Sequence, residues 1–463
     1  MVFSSLLFLF WFIPVFFALY YLVGAKFRNA LLFCGSIVFY AWGEPSYLIL
    51  IFISILVNYL AGLGLAKCGE GKAHTGKDKA VLAGAMIFDF GMLIVFKYTG
   101  FFVANINAAF GTSISDPGLT LPLGISFYTF QIASYVIDLY RGKIKAEKNP
   151  LTLGTYLVMF PQLIAGPIVV YSQVSKELHE RKITLEKVSD GITTFILGLS
   201  SKVLIANTVG ALWKDLEDIG YDRISMPLAW LGVFAFTLQI YFDFNGYSLM
   251  AIGLGKMLGF NIPQNFNYPY ISRSLTEFWR RWHMTLSGWF RDYVYIPLGG
   301  NRKGKIRTYL NLFIVWFLTG FWHGAGWNFI CWGLFFFVFL SMEKSFLGGF
   351  LEKHKVIARV YALLFIGLSW MIFAITDFAK LGVYAGRLVA FSSLNGCTDV
   401  VYYLRNYGVV IALGCVLSTP VIATWFERIR KKAAGYAVLL ALLFVSVCYL
   451  ADASYNPFLY FRF

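Results

Sequence analysis

The chemically most distinctive part of the sequence is residues 319–333, TGFWHGAGWNFICWG, which contain His323. An ionisable side chain in apolar, membrane-buried sequence is a functional-site hypothesis by default. A neutral imidazole can take a proton from a hydroxyl group, so His323 is a candidate general base. The alternative is a histidine that only hydrogen-bonds a neighbouring helix. Residue type and setting alone favour neither interpretation over the other.

Small and aromatic residues surround this histidine. Glycines weaken a helix but let backbone or a ligand come close to the imidazole; they are Gly320, Gly324 and Gly326. Tryptophans supply rigid walls, and their indole N–H groups need partners when buried; they are Trp322, Trp327 and Trp332. The combination predicts a pocket and not a simple anchor helix.

A second histidine, His283, lies in the most charged region of the chain, SLTEFWRRWHMTLSGWFRDYVYIPLGG at 274–300. Arginine forks bind phosphate bidentately, so a phosphate-bearing donor would need such a basic funnel. The alternative is an amphipathic helix in the cytoplasmic headgroup zone, with His283 as an interfacial anchor and the arginines as headgroup contacts. The neighbours that could bind a donor are Trp279, Arg280, Arg281 and Trp282.

Asp243 is a carboxylate in the otherwise apolar stretch YFDFNGYSLMAIG, residues 241–253. An intramembrane carboxylate is costly and is usually paired or hydrogen-bonded. Asp243 could hold a histidine or an arginine in place, or it could secure helix packing. The structural role is the favoured interpretation.

The composition describes a polytopic membrane protein. The 463 residues are 59% hydrophobic, 19% aromatic and 14% charged, and apolar runs extend from one end to the other. The net charge of +15 is expected from basic cytoplasmic loops and contact with lipid headgroups, not from nucleic-acid binding. The six cysteines are far apart without metal-ligand spacing, so no metal site is predicted.

Because basic loops tend to remain cytoplasmic, the positions of the Lys/Arg clusters indicate how many times the chain crosses the membrane. The first span is expected to be retained and not a signal peptide, because no basic residue precedes it and no small-residue cleavage site follows. An acidic outer loop with Asp215, Glu217, Asp218 and Asp222 should follow residues 190–213. Predicted spans are 4–24, 30–44, 46–66, two within 80–140 separated near 111–118, 190–213, 227–258, 357–376, 407–425 and 434–452.

Two apolar stretches do not fit single crossings. Residues 151–171 lie between basic clusters and contain Pro161 and Pro167, so they are predicted to be re-entrant or interfacial. Residues 308–342 must enter and leave on the same side, and two full crossings need about 40 apolar residues. A short or re-entrant hairpin is therefore expected, with His323 near its turn and a basic vestibule on the cytoplasmic side.

Five blocks of this chain together resemble the membrane-bound O-acyltransferase family, in the bacterial branch of alginate O-acetyltransferases and the teichoic-acid D-alanylation transferase. They are LPLGISFYTFQIASYVIDLYRG (121–142), FPQLIAGPIV (160–169), YFDFNGYSLMAIG, the block around His283 and the block around His323. The departures are Leu249, where alginate-type relatives often carry Asp, and Asn245, where Ser is common. They concern that loop and the acceptor, not the acyltransferase class.

The resemblance implies an all-α fold of about 9–11 transmembrane helices, with re-entrant and interfacial helices around a central funnel or tunnel. It implies one domain over 1–463, with a core at about 121–340, flanking spans at 1–110 and 357–452, and an extracellular tail at 453–463. His323 matches the family's catalytic histidine and His283 the second histidine of this branch. Trp322, Trp327 and Asn328 are candidate hydrogen-bond donors or positioners.

The resemblance also implies a substrate pair and a partner. The donor is cytoplasmic acetyl-CoA, with no bound cofactor, and the acceptor is an extracellular hydroxyl on a secreted or cell-wall polysaccharide, reached through an SGNH-hydrolase-type partner. The C-terminal PFLYFRF resembles the end of the small D-alanylation partner protein, so Tyr460 is a candidate acyl relay; an interfacial aromatic anchor is the alternative. The expected location is the bacterial inner membrane, with both termini extracytoplasmic.

Three other interpretations remain at the level of sequence. One is a transferase of D-alanyl or other acyl groups for teichoic acid. Another is a non-enzymatic glycan or lipid transporter, although transporters often show repeated halves and none is evident here. The last is a non-catalytic scaffold for a secreted partner, which would not explain two histidines in these settings.

Overall fold

The computed structural model describes residues 1–68, 74–164, 166–391, 398–452 and 459, and these residues form helices without a β-strand. Eight helices of the described chain are long and apolar enough to cross a membrane, and Phe8–Leu22 is a shorter apolar helix. This confirms the predicted all-α polytopic class. The eight are Pro45–Gly64, Gly76–Phe110, Leu185–Ile219, Met226–Leu258, Trp327–Lys353, Lys355–Ala374, Thr398–Leu417 and Ala433–Asp452.

The chain divides into two compact units, Met1–Phe195 with Met250–Pro263, and Ile196–Leu249 with Gln264–Phe463. Two helices, Leu185–Ser200 and Met226–Leu258, have residues in both. The other α-helices of the first unit are Ile13–Leu22, Arg28–Ala41, Leu48–Gly64, Gly76–Phe110, Ile125–Tyr140, Pro150–Val158, Phe160–Leu163 and Tyr171–His179. Those of the second are Asn207–Ile219, Leu275–Trp279, Met284–Phe290, Lys305–His323, Trp327–Met342, Gly348–Lys353, Lys355–Ala374, Phe378–Arg387, Thr398–Leu417, Pro420–Ile429 and Ala433–Asp452.

In the first unit, local signals end the helices where the sequence predicts breaks. The helix Gly76–Phe110 ends at Gly111, whose φ of 64° is the left-handed conformation that glycine adopts easily. This confirms the break expected near residues 111–118. The stretch 151–171 is also interrupted, with no helix between Leu163 and Tyr171. Its depth in a membrane stays a prediction.

In the second unit, Lys305–His323 and Trp327–Met342 form a helical hairpin whose turn follows His323 directly. The two backbones approach closely at Gly320 and Gly333. A Cβ atom on Gly320 would collide with the carbonyl oxygen of Phe329, and a Cβ atom on Gly333 with that of Trp316. Small residues that allow backbone contact are typical of helix pairs in membranes. The predicted hairpin with His323 near its turn is confirmed.

The expected length of this hairpin was wrong, because its second arm continues to Lys353. The charged residues after position 342 indicate an inner loop by sequence, but the backbone stays helical through Glu343–Leu347. The Glu343 carboxylate is buried and accepts hydrogen bonds from the Leu275 and Thr276 amides at 2.6 and 2.9 Å. It caps the helix Leu275–Trp279, so its charge does not mark a loop.

Two other boundaries were also wrong. The span predicted at 407–425 is the helix Thr398–Leu417, because Pro420 lacks an amide hydrogen and starts a new helix capped by Thr419. The acidic residues expected in an outer loop lie largely on the helix Asn207–Ile219. There the Glu217 carboxylate accepts the Trp213 indole N–H at 3.0 Å. Of the four acidic residues, Asp222 alone follows the helix.

The close contact between the hairpin arms makes a stability prediction. Gly333→Ala would place a methyl group against the Trp316 carbonyl oxygen, and such overpacking costs about 1–3 kcal/mol. We expect a lower midpoint of thermal unfolding in detergent. The control is Gly349→Ala, where nothing lies within 4 Å of the added Cβ and the change should be neutral or stabilising. Equal midpoints for the two variants would show that the arms can separate freely.

Candidate active site

His323 is the last residue of the first hairpin arm and is 6% exposed. Its ring is held by three aromatic side chains at centroid distances of 4.9 Å (Trp332), 5.0 Å (Trp322) and 5.4 Å (Phe373). It borders a cavity of about 10 Å³, which is room for about one water molecule. The cavity is lined by Ile240, Asp243, Phe244, Trp282, His323, Trp370, Phe373 and Leu459.

His283 is completely buried, and its backbone has a φ of 42°, an uncommon conformation for a residue other than glycine. Its Nδ1–H donates to the Asn265 side-chain oxygen at 3.0 Å. That oxygen also accepts the Thr285 amide N–H at 3.3 Å, which identifies it as an acceptor. Nε2 of His283 therefore carries the lone pair, and no described residue donates a hydrogen bond to it.

Burial lowers the pKa of His283 to about 3 because the apolar surroundings disfavour the charged imidazolium. His283 is therefore neutral at physiological pH. The tryptophan, phenylalanine and histidine side chains of the block around it are buried within the second unit. Whether the block lies at the membrane interface stays a prediction. The basic residues of the block remain partly or fully exposed.

The two histidines share walls. Phe244 lines the His323 cavity and meets the His283 ring edge-on at 4.7 Å between centroids. Trp322 lies 5.0 Å from His323 and 6.3 Å from His283 by the same measure. The tertiary structure thus brings together two imidazoles that are 40 positions apart in the sequence.

Asp243 is buried against a lysine. Its Oδ1 atom lies 2.5 Å from Lys202 Nζ, and both side chains are 2% exposed. Its Oδ2 atom accepts the backbone N–H of Leu459 at 3.0 Å. Lys202 was not among the predicted site residues, although a lysine within a predicted span is as unusual there as an aspartate.

A second and larger cavity, of about 800 Å³, lies in the same unit. Its basic lining residues are Arg273, Arg280, Arg291 and Lys344, and its acidic ones are Glu277, Glu343 and Glu352. The Glu343 carboxylate accepts hydrogen bonds from the helix that it caps. Glu277 is paired with Arg281, which does not line the cavity. Arg291 is paired with the Asp292 carboxylate at 2.7 and 3.1 Å. The exposed side chains of Arg273, Arg280 and Lys344 remain for an anionic ligand.

Trp279 and Trp332 lie between this basic cavity and His323. Trp279 lines the cavity and packs 5.6 Å from Trp332, which in turn packs 4.9 Å from His323. Both indole rings are buried, and no described residue accepts a hydrogen bond from either Nε1–H. A buried donor without an acceptor is costly, so these two N–H groups are candidate ligand contacts.

The remaining predicted residues differ in their surroundings. Asn328 is buried and donates to the backbone oxygens of Phe373 and Ile372 at 3.2 and 3.4 Å, which attaches the hairpin turn to the helix Lys355–Ala374. Trp327 is 52% exposed and does not line the His323 cavity. Asn245 is half-buried outside that cavity. Tyr460 lies outside the described residues.

Sequence reasoning missed Asn265 and Lys202, and it predicted Trp332 only as a wall of the pocket around His323. Asn265 had no local signal, because its role depends on a hydrogen bond across 18 positions. The ligand-type atoms of Cys68, His74 and Asp78 also meet within 4.8 Å, which their spacing did not indicate. The Asp78 carboxylate there caps the helix Gly76–Phe110 through Thr75. The absence of a metal site stays a prediction.

The fold and the site define a polytopic, all-α membrane protein with two buried histidines beside a basic cavity. A model of the membrane-bound O-acyltransferase family matches residues 144–379. A probable alginate O-acetylase of Pseudomonas putida is 38% identical over 100% of both chains. The chain belongs to the membrane-bound O-acyltransferase family, as its resemblance predicted.

Two other relatives are more distant in sequence or coverage. A peptidoglycan O-acetyltransferase of Helicobacter pylori is 35% identical over 81% of this chain and 77% of its own. A teichoic acid D-alanyltransferase of Bacillus subtilis is 30% identical over 48% of this chain and 59% of its own. The chain is therefore an enzyme, an O-acyltransferase, and not the transporter or scaffold that the sequence alone left open.

The low pKa of His283 predicts a pH-dependent stability. The unfolded chain takes up a proton below about pH 6.5 while the folded chain does so near pH 3, so stability falls as the pH is lowered between these values. Between about pH 7.5 and about pH 5 the loss should be about 2 kcal/mol. His283→Gln should remove this part of the pH dependence of thermal unfolding.

The matched control is His354→Gln, since His354 is exposed in the folded chain. It should leave the pH dependence unchanged. If His283→Gln and the parent lose stability in parallel on acidification, the buried neutral state assigned to His283 is wrong.

Proposed function

We propose that this chain transfers an acetyl group from cytoplasmic acetyl-CoA to an extracytoplasmic hydroxyl, ultimately on a secreted or cell-wall polysaccharide. The observation that carries this proposal is the position of His323. It lines a small cavity together with Leu459 of the C-terminal tail, and Trp332 and Trp279 connect it to the large basic cavity. The acetyl group is favoured because O-acetylases are the relatives that match most of the chain. D-alanyl transfer is the second candidate, with a relative that matches about half of it.

The basic cavity fits the donor. Its volume of about 800 Å³ is large enough for an extended, drug-sized or larger ligand. Coenzyme A carries phosphates, and Arg273, Arg280 and Lys344 can bind them through charge-assisted hydrogen bonds. With the phosphates there, the thioester end would lie toward Trp279 and Trp332, beside His323.

His323 would act as the general base. It takes the proton of the acceptor hydroxyl while the hydroxyl oxygen attacks the thioester carbonyl carbon. The carbon–sulfur bond then breaks, and the imidazolium returns the proton to the leaving thiolate, giving an ester and free CoA. The unpaired indole N–H groups of Trp279 and Trp332 are suited to stabilise the carbonyl oxygen as its charge develops.

His283 would orient the donor or assist as a second base. Its neutral ring presents the lone pair of Nε2, which can accept an N–H or O–H from a bound substrate. Asn265 fixes the tautomer through Nδ1. Trp322 packs on both imidazoles and would keep them in register with the substrate.

On the acceptor side, Tyr460 would receive the acetyl group and pass it to the polysaccharide through an SGNH-hydrolase-type partner. Leu459, the residue before it, is buried in the His323 cavity, which supports this relay. The relay requires an extracytoplasmic C-terminus, and the N-terminus is proposed to lie on the same side. In a bacterium the enzyme would then reside in the cytoplasmic membrane.

His323→Ala should reduce acetyl transfer by a factor of about 10²–10⁴ or more, because the acceptor hydroxyl loses its base. The measurement is CoA release from acetyl-CoA by purified protein in proteoliposomes, with thermal unfolding to verify folding. His354→Ala is the control, as an exposed histidine of the same unit. Undiminished turnover of a folded His323→Ala protein would remove His323 from the reaction.

Tyr460→Phe should abolish the acyl-enzyme, because it deletes the hydroxyl and keeps an aromatic anchor. Mass spectrometry of the C-terminal peptide after incubation with labelled acetyl-CoA detects the modified tyrosine. Tyr449→Phe, at an exposed tyrosine of the last helix, serves as the control. Unchanged turnover of Tyr460→Phe would eliminate the relay and leave direct transfer to the acceptor.

A further inference from the structure

We infer that Asp243, paired with Lys202, is a latch that holds Leu459 of the C-terminal tail in the His323 cavity through its backbone N–H. The inference rests on the proposed function for its purpose, since Leu459 directly precedes the proposed relay residue Tyr460 in the sequence. It assigns Asp243 and Lys202 a positioning role and no chemical step.

The ion pair is set by a close contact of helix backbones. One turn after Asp243, a Cβ atom on Gly246 would lie 2.7 Å from the Gly198 carbonyl oxygen and 3.0 Å from the Lys202 amide nitrogen. Backbone contact at this point brings Lys202 to Asp243. The Lys202 ammonium also donates to Asn207 Oδ1 at 2.8 Å. Additional hydrogen bonds of this kind offset part of the cost of burying an ion pair.

The orientation of the carboxylate links this pair to the tail. Lys202 occupies Oδ1, and Oδ2 accepts the Leu459 N–H across 216 positions of sequence. A buried backbone N–H requires an acceptor, and an ionised carboxylate is a strong one. Leu459 is itself buried and lines the cavity together with His323. The buried charge therefore faces the tail.

A purely structural ion pair makes a different prediction from a latch. Buried ion pairs can often be replaced by apolar residues of similar volume without loss of stability. If the pair only fastened two helices, the double variant Lys202→Met/Asp243→Leu would leave the tail in place. If Asp243 is the latch, the same variant folds but releases the tail, because Leu459 loses its acceptor.

The experiment measures burial of the tail by thiol labelling. The full-length protein, with its native cysteines replaced and Leu459→Cys introduced, is reconstituted in proteoliposomes and treated with N-ethylmaleimide. We expect slow labelling in the parent and at least about tenfold faster labelling with Lys202→Met/Asp243→Leu, since tenfold corresponds to a shift of about 1.4 kcal/mol in the docking equilibrium. Asn301→Cys, at an exposed loop position, is the reagent control and should label quickly in both backgrounds.

Equal labelling rates at position 459, whether slow or fast in both backgrounds, would overturn the latch. If the double variant does not fold, the donor can be removed instead: Leu459→Pro deletes the amide hydrogen, whereas Leu459→Ala keeps it. With Tyr460→Cys as the labelling site, the latch predicts at least about tenfold faster labelling for Pro than for Ala at position 459, again a shift of about 1.4 kcal/mol. Similar labelling rates for the two would contradict it.

The latch and the relay fail in different ways. Labelling of position 459 requires no turnover, so it reports docking even if Tyr460→Phe proves fully active. An inactive Tyr460→Phe together with equal labelling rates would keep the relay and remove the latch. An active Tyr460→Phe together with accelerated labelling in the double variant would keep the latch and remove the relay.

Discussion

The backbone contact between the two hairpin arms is the constraint on which the rest of the site depends. Because Gly320 and Gly333 let the helices touch, the first arm ends at a fixed point and His323 is presented at its last residue. The aromatic wall follows from the same contact, since Trp332 lies on the second arm and meets the imidazole edge-on. Any side chain at either glycine would separate the arms and move the histidine and its wall apart.

Three buried polar side chains around the site are paired with partners from other parts of the chain. His283 donates to Asn265, Asp243 faces Lys202, and Glu343 caps the helix Leu275–Trp279. Such pairing is required because a polar or charged group in an apolar interior is costly without a partner. The pairs also position the site, since each one fastens a segment that lines one of the two cavities to another part of the chain. The same interactions that make burial tolerable therefore determine where the reacting groups lie.

Several features of the fold follow directly from local chemistry and were predictable. The break after Phe110 follows from a glycine in the left-handed conformation, and the hairpin turn follows from glycines beside His323. Charged residues predicted the helix ends less well than these glycines did. Glu217 and Glu343 were interpreted as loop residues, but one accepts an indole N–H on a helix and the other caps a helix far away in sequence. A charged residue marks a loop only when no partner is available to it.

The sequence by itself determined the all-α membrane class, the acyltransferase family and the selection of His323 and His283, because composition and linear motifs carry that information. Only the tertiary structure decided that Asn265 orients His283, that Lys202 neutralises Asp243, and that the backbone of Leu459 lies against that carboxylate. These contacts join residues up to 216 positions apart. Buried polar groups require hydrogen-bond partners, and helix packing determines which partner is within reach. No local sequence pattern predicts that pairing.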